Sequence, residues 1–401
     1  MPVEVRTITE PEIPALQHQV ETAFGADPDP DELAAWRPLI EPDRTLGAFD
    51  GGDLVGTAAA FTFDMTVPGG PVPAAGVTGV GVRATHRRQG ILTALMRRQL
   101  ADVPEAFATL WASEQAIYGR YGYGVASRRL HTTIQAHDPP LLGPPPAGRV
   151  RLVDLPEMAA LAPPLYDAVR GDRPGMVSRS PRRWSTRLSD LPNHRAGASA
   201  QRNAVYERDG EPRGYAWYRL KADWADTRPN GAVRVKEVVA LDADAHVGLW
   251  RYLLGIDLMR SVTWDVMPVD DPVPHRLADQ RLARMVVGDG LHVRPLDVPR
   301  LLAGRAYLGS GRVVLDVVDD AGYAAGRYAL DASPDGATCE RTTQSADLAL
   351  SAVELGAVYL GDTPLRTLHE AGRVDEHTPG AVVRASRLLA WDRPAWCAEI
   401  F

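Results

Sequence analysis

The chain has 401 residues, 45% hydrophobic and 24% charged, which is ample apolar material for packed cores and, at roughly 100–200 residues per domain, implies more than one of them. Lysine and arginine total 44 against 51 acidic residues, a net charge of −7, which argues against nucleic acid or an anionic membrane surface as a partner and favours a cationic one. Cys339 and Cys397 are the two cysteines, too few for a disulfide framework or a four-thiolate zinc site, and the N-terminus has no leader of basic then apolar residues, so a soluble cytoplasmic protein is expected.

The opening residues read as a strand and then a helix near 13–24. Residues 45–63, broken by Asp50-Gly51-Gly52-Asp53, spell a hairpin, because two apolar runs flank a glycine turn. After Pro68-Gly69-Gly70-Pro71 comes a strand over 76–83 with Val80 and Val82 on one face. A helix follows over 87–100, where Ile91, Leu92, Leu95 and Met96 recur at helical spacing. A short strand over 107–112 leads into Ser113-Glu114-Gln115-Ala116-Ile117-Tyr118-Gly119-Arg120-Tyr121-Gly122-Tyr123-Gly124, whose glycines stop a helix and turn the chain.

A proline- and glycine-rich linker over 138–148 predicts the first domain boundary. The next block repeats the first in outline, with a hairpin over 204–220, a strand over 233–241 and a helix over 246–259, as an internal duplication would. The copies differ between strand and helix: the first passes through Arg87-Arg88-Gln89-Gly90, the second through Asp242-Ala243-Asp244-Ala245. From about Pro295 short strands over 312–318 and 326–330, an apolar stretch over 346–360 and a helix over 365–371 read as a small α+β domain. The chain ends in Trp396-Cys397-Ala398-Glu399-Ile400-Phe401, too apolar for a loose terminus, so a buried tail is expected. The resulting division is 1–135, 136–293 and 294–401.

The strand, Arg-Arg-x-Gly loop and helix carry the clearest chemical signal. Helix-start N–H groups lack intrahelical partners and the dipole favours anions there, Gly90 lets a phosphate approach, and Arg87 and Arg88 add charge. A merely solvated basic first turn, with His86, Arg87 and Arg88, would oppose the dipole. The acidic run Asp27-Pro28-Asp29-Pro30-Asp31-Glu32 reads as a capping box, with Asp29 as cap and Glu32 three residues on; Asp27 is the acid left to face a cation. His275, His369 and His377 have no ligand spacing, so no metal is expected.

Residues 80–96, Val-Gly-Val-Arg-Ala-Thr-His-Arg-Arg-Gln-Gly-Ile-Leu-Thr-Ala-Leu-Met, resemble the acetyl-CoA motif of the GNAT N-acetyltransferase superfamily. Leu92 departs from the superfamily's usual glycine or alanine, as is usual in the Eis-like (enhanced intracellular survival) branch. That resemblance covers the whole chain and implies an α+β fold: two tandem GNAT-like mixed-sheet domains, the second degenerate, followed by a sterol-carrier-protein-like domain. It implies acetyl-CoA as cosubstrate, met by Val80, Gly81, Val82, Arg87, Arg88, Gln89, Gly90, Ile91, Leu92 and Ser113. Tyr118 would be the acid that protonates the CoA sulfur, the α-carboxylate of Phe401 the base, and Phe24, Asp27 and Trp36 substrate contacts. Phe24 and Trp36 also suit an ordinary core. Glu399 would add negative charge to an amine pocket or be solvated, and Ile400 stands where the family carries an acid. A homo-hexamer is implied by resemblance alone.

Direct acetyl transfer requires an amine to lose a proton and a thiolate to gain one. The expected function is N-acetylation of a cationic small molecule, aminoglycoside- or polyamine-like. The alternative is a CoA-binding scaffold or lipid carrier without turnover, for which the stretch over 346–360 would line a tunnel.

Overall fold

The computed structural model describes residues 3–136 and 141–401. Linker residues 138–140 lie outside the described residues, and Leu141 and Leu142 pair with Leu277 and Arg276 of the second domain.

The first sheet has seven strands in the order β1 (Glu4–Thr7), β2 (Thr45–Asp50), β3 (Asp53–Val67), β4 (Gly70–Val82), β5 (Phe107–Trp111), Leu291–Pro295 and β6 (Gly124–Val125). Its neighbours are antiparallel except β4 and β5, which run parallel. Helices α1 (Ile13–Ala23), α2 (Pro30–Trp36), α3 (Ile91–Asp102) and α4 (Gln115–Gly119) accompany it. Helix α3 buries Ile91 and Leu95 against Leu46, Ala48 and Val55, and Met96 and Leu100 against Ala75, Val77 and Leu110. That is the face its helical spacing predicts.

The second sheet runs Ala283–Asp289, β7 (Arg128–Gln135), Met259–Met267, Gly231–Ala240, Glu211–Lys221, Arg202–Arg208 and Arg149–Val153, and helices α5 (Leu155–Arg170) and α6 (Pro181–Leu188) belong to its half of the molecule. The two sheets exchange strands. Strand β7, which precedes the linker, joins the second sheet, and Leu291–Pro295, just ahead of the third domain, fills the first sheet between β5 and β6 with all five residues buried. A division at 135/136 and 293/294 therefore follows chain order but not sheet membership.

Two helices differ from their expected bounds. The helix expected over 87–100 begins at Ile91, because Arg88 and Gly90 take left-handed φ values of 62° and 83°. The one expected over 246–259 is Ala243–Leu254: Asp242 caps the Ala245 N–H, Gly255 ends the helix, and Met259 opens a strand.

The third domain is a five-stranded sheet in the order Gly336–Arg341, Gly326–Ser333, Gly311–Val318, Leu348–Ser351, Val374–Glu376. Its apolar stretch divides at Ser351, which caps the helix Ala352–Val358 in a capping box with Glu354. Leu348, Leu350, Leu355 and Val358 share one core with Phe61, Phe63 and Val293 of the first sheet. That position suits packing rather than a tunnel lining.

The seam between these domains admits no added atoms. A Cβ on Gly124 would lie 1.9 Å from the Val353 carbonyl oxygen and 2.7 Å from the Ala357 nitrogen. Gly124→Ala is expected to lower stability by about 1–3 kcal/mol, as overpacking does. The urea midpoint reads this, with Gly309→Ala, whose Cβ meets nothing within 4 Å, as the unaffected control.

The tail is strand-like and runs between two cores. Ala395 and Cys397 enter the core shared by the first and third domains, while Trp396 and Ala398 enter that of the second. Alternation of side chains along an extended chain produces this division. The expected burial of the tail is observed from Ala395 to Glu399, whereas Ile400 is 51% exposed.

Candidate active site

Strand β4 pairs with β5 only through Ala75 with Ala108 and Gly76 with Thr109, and beyond Gly76 the two part. On its other side β4 follows β3, with a bulge where Gly79 takes φ 58° and its carbonyl accepts the Thr57 hydroxyl at 2.7 Å. Val80, Gly81 and Val82 thus lie half-buried on a diverging arm whose β5-facing backbone edge has no strand partner. Residues Arg87 to Gly90 stand exposed at its end. Among the described residues Arg87 and Arg88 form no ion pair, and the basic pair precedes the helix rather than occupying its first turn. The first intrahelical bond runs from the Ala94 N–H to Gly90 at 3.0 Å, which leaves the N–H groups of Ile91, Leu92 and Thr93 without helical acceptors. Nothing lies within 4 Å of a Cβ built on Gly90, so open space, free donors and unpaired arginines together fit a pyrophosphate. Ile91 is buried and serves the core, and Leu92 is half-buried.

Strand β5 delivers Ser113 and then α4, which carries Tyr118. Burial raises the Tyr118 phenol above its ordinary pKa of 10, opposed more weakly by the nearby Ser113 hydroxyl. Its ring sits edge-on to Tyr123 at 6.0 Å. The neighbouring tyrosines are otherwise placed: Tyr121 bonds Thr93 at 3.2 Å, and Tyr123 is only 1% exposed with its hydroxyl unpartnered.

Phe401 packs its ring on Phe63, 5.0 Å away, and a Cβ on Gly76 would be 3.3 Å from the same ring. The terminus therefore arrives where β4 and β5 part, with Tyr118 on the segment after β5. Phe24 is 59% exposed at the end of α1, and Asp27 is exposed beside it. Trp36 is instead half-buried against the core that contains Leu39 and Phe61. Asp29 caps α2 by accepting the Asp31 N–H at 2.9 Å, but the expected capping box does not close. Glu32 instead reaches Asn193 and His194, at 2.9 and 2.8 Å.

Glu399 is neither solvated nor turned to a pocket. It is 1% exposed and accepts from Arg179 Nε at 2.6 Å and Arg183 Nη1 at 2.7 Å. Burial by itself would raise its pKa, yet Arg179, Arg187 and Arg183 hold it below the usual carboxylate range. The arginine cluster did not enter the sequence reading, although Arg179, Arg183 and Arg187 recur every four residues, the spacing of one helix face. Glu21 was also missed. Burial first, and Glu32 second, raise its pKa, and its Oε2 is buried without a partner.

The cluster makes a prediction about acid. Glu237, fully buried, receives Arg179 at 3.0 and 2.6 Å and the Tyr215 hydroxyl at 2.6 Å. Burial would raise its pKa, but Arg179 foremost draws it from 4.5 to about 2. A pKa lower folded than unfolded stabilises fully above 4.5 and is lost as pH falls toward 2. The urea midpoint should drop through that window, and Glu237→Gln, destabilised at neutral pH, should show a shallower acid slope.

Among the described residues no helix is long and apolar enough to cross a membrane, and no group of three His, Cys, Asp or Glu is placed to hold a metal ion.

Residues 4–126 match a family model described as an acetyltransferase (GNAT) domain, residues 175–297 a second model of that description, and residues 298–398 one described as a sterol carrier protein domain. An uncharacterized N-acetyltransferase of Streptomyces avermitilis is 42% identical over 92% of each chain. The N-acetyltransferase Eis of Mycobacterium tuberculosis is 33% identical over 100% of each. The crystal structure of Eis1 from Mycobacterium abscessus, at 32% identity, superposes with a TM-score of 0.85 over 100% of both chains.

Proposed function

Because the chain belongs to the Eis-like family of GNAT N-acetyltransferases, we propose that it acetylates a cationic small molecule, aminoglycoside- or polyamine-like, by direct transfer from acetyl-CoA to the amine, with Tyr118 as the acid and the Phe401 carboxylate as the base. Acetyl transfer to amines follows from the family, and the GNAT fold implies acetyl-CoA, which supplies the acetyl thioester. The observation that carries the finer reading is the seating of the Phe401 ring on Phe63 and Gly76 at the parting of β4 and β5.

The chain's own groups then divide the work. Arg87, Arg88 and the N–H groups at the start of α3 hold the pyrophosphate, and the open edge of β4 at Val80 to Val82 orients the arm that leads to the thioester. Tyr118, kept neutral by burial, donates its proton to the leaving sulfur. The terminal carboxylate, carried by the residue whose ring rests on Phe63, takes a proton from the incoming ammonium. Exposed Asp27 and the unpartnered oxygen of Glu21 attract the rest of the cation, with the Phe24 ring offering a face to it. Glu399 has no part in that attraction, since arginines already consume its charge.

Release of free thiol from acetyl-CoA tests the reading with aminoglycosides, spermidine and a lysine peptide as acceptors. Turnover with the multi-amine cations supports it. Tight CoA binding without turnover on any of them would overturn it in favour of a binding scaffold.

A further inference from the structure

Among the groups the reaction does not use, one cluster reaches the site. Glu399 is wholly buried two residues before the terminus and touches both GNAT-like domains. Its side chain is held by Arg179, just ahead of α6, and by Arg183 on it, while its backbone carbonyl accepts Trp111 Nε1 at 2.7 Å at the end of β5. Cys397 Sγ adds a contact to the same carbonyl at 3.1 Å. Further back, Trp396 is fixed through its N–H to Pro174 at 2.8 Å and through its indole to Val266 at 2.7 Å. Beyond Glu399 only exposed Ile400 precedes Phe401.

The arginines are in turn over-determined. Arg179 is clamped by Glu237 at two points and lies 3.8 Å over the Tyr166 ring. Arg183 lies over Phe61 and Phe63, at 4.4 and 4.5 Å. Phe63 is the ring on which Phe401 rests. A continuous path of contacts thus runs from Glu237 through Arg179, Glu399, Arg183 and Phe63 to Phe401.

Stability alone is a poor explanation for this arrangement, since well-packed apolar side chains often replace a buried ion network at no cost. What a charged network adds is a fixed geometry. Arg179 Nε donates to one Glu399 oxygen and Arg183 Nη1 to the other, which leaves the carboxylate few orientations, and the indole bond fixes the peptide group that follows. We infer that Glu399 is a positioning residue: anchored by Arg179, Arg183 and Trp111, it sets where the α-carboxylate of Phe401 stands in the cleft of the first domain. This rests on the reading of that carboxylate as the base.

The test uses the full chain, Glu399→Asp, Glu399→Gln and the chain lacking Phe401, each measured for melting temperature, acetyl-CoA dissociation constant and kcat, with release of Phe401 by a carboxypeptidase measured in the three that retain it. Glu399→Asp keeps the charge but draws the carboxylate back by one methylene, so it is expected to fold even if Glu399→Gln, which takes from the buried Arg183 its carboxylate while Arg179 keeps Glu237, does not. The expected result is a kcat lower by about tenfold or more, since a displacement of about 1 Å can cost up to a hundredfold. Acetyl-CoA affinity should stay unchanged and Phe401 should be released faster, a response that a merely structural role would not produce in a variant with the wild-type melting temperature. Wild-type kcat and carboxypeptidase resistance in folded Glu399→Asp, with the chain lacking Phe401 inactive, would overturn the positioning role and leave the base intact. Full activity without Phe401 would overturn both.

Discussion

Deletion of Phe401 is expected to lower kcat by about 10²–10⁴-fold, the range for a lost general base, with the acetyl-CoA dissociation constant unchanged. The two readouts separate because the groups that serve them lie apart. The proposed pyrophosphate donors are at the end of β4 and the start of α3, whereas Phe401 touches Phe63 and Gly76 where β4 leaves β5. Removing one residue shifts the terminal carboxylate to Ile400, 51% exposed and with no ring against Phe63. The charge survives, but not the ring contact that seats it. An α-carboxylate has a pKa of about 3.5 in water, so its use as a base depends on where it is held against the ammonium. Folding should persist, because Trp396 and Glu399 hold the tail without help from Phe401. A chain extended by a C-terminal tag should lose turnover in the same way. Unchanged kcat in either would remove the terminus from the chemistry.

The elements of the first sheet were legible because each has a local cause: a glycine turn, an alternating strand, a helix face repeating at Ile91, Leu95 and Met96. The glycine-containing loop between β4 and α3 was legible for the same reason, although its helix starts at Ile91, since left-handed φ values at Arg88 and Gly90 cannot be read from helical spacing. Strand exchange was not legible. Neither β7 nor Leu291–Pro295 was anticipated as a strand, and which sheet takes them depends on partners more than 100 residues away, such as Ala283–Asp289 for β7 and β5 for Leu291–Pro295. Glu399 failed in the same manner. An acid near an apolar terminus looks free to meet solvent or substrate until Arg179 and Arg183, more than 200 residues earlier, are brought beside it. Those arginines sit at helical spacing, yet nothing local distinguishes them from a solvated basic face.

Tyr118→Phe is the second large effect: kcat should fall by about 10²–10³-fold, within the range for a lost general acid, while the KM for acetyl-CoA and the melting temperature change little. The ring that packs edge-on to Tyr123 is retained, so the substitution removes only the phenol oxygen. The proposed donor role suits its environment. Burial holds the phenol above its ordinary pKa of 10, so it stays protonated through the neutral range and can donate but not accept. A thiol near 8.5 and a phenol near 10 are close enough for a positioned donor to transfer its proton. Rate against pH should accordingly show no descending limb below about pH 10 that belongs to Tyr118. Two controls separate position from composition. Tyr121→Phe breaks a bond to Thr93 on α3, and Tyr123→Phe removes a buried hydroxyl that has no partner. The second should be neutral or stabilising, because an unsatisfied polar group is removed, and neither should approach the loss at Tyr118. If Tyr121→Phe instead abolished turnover and Tyr118→Phe did not, the proton would have to reach the sulfur from the α3 side of the cleft, and Ser113 would lose its place beside the donor.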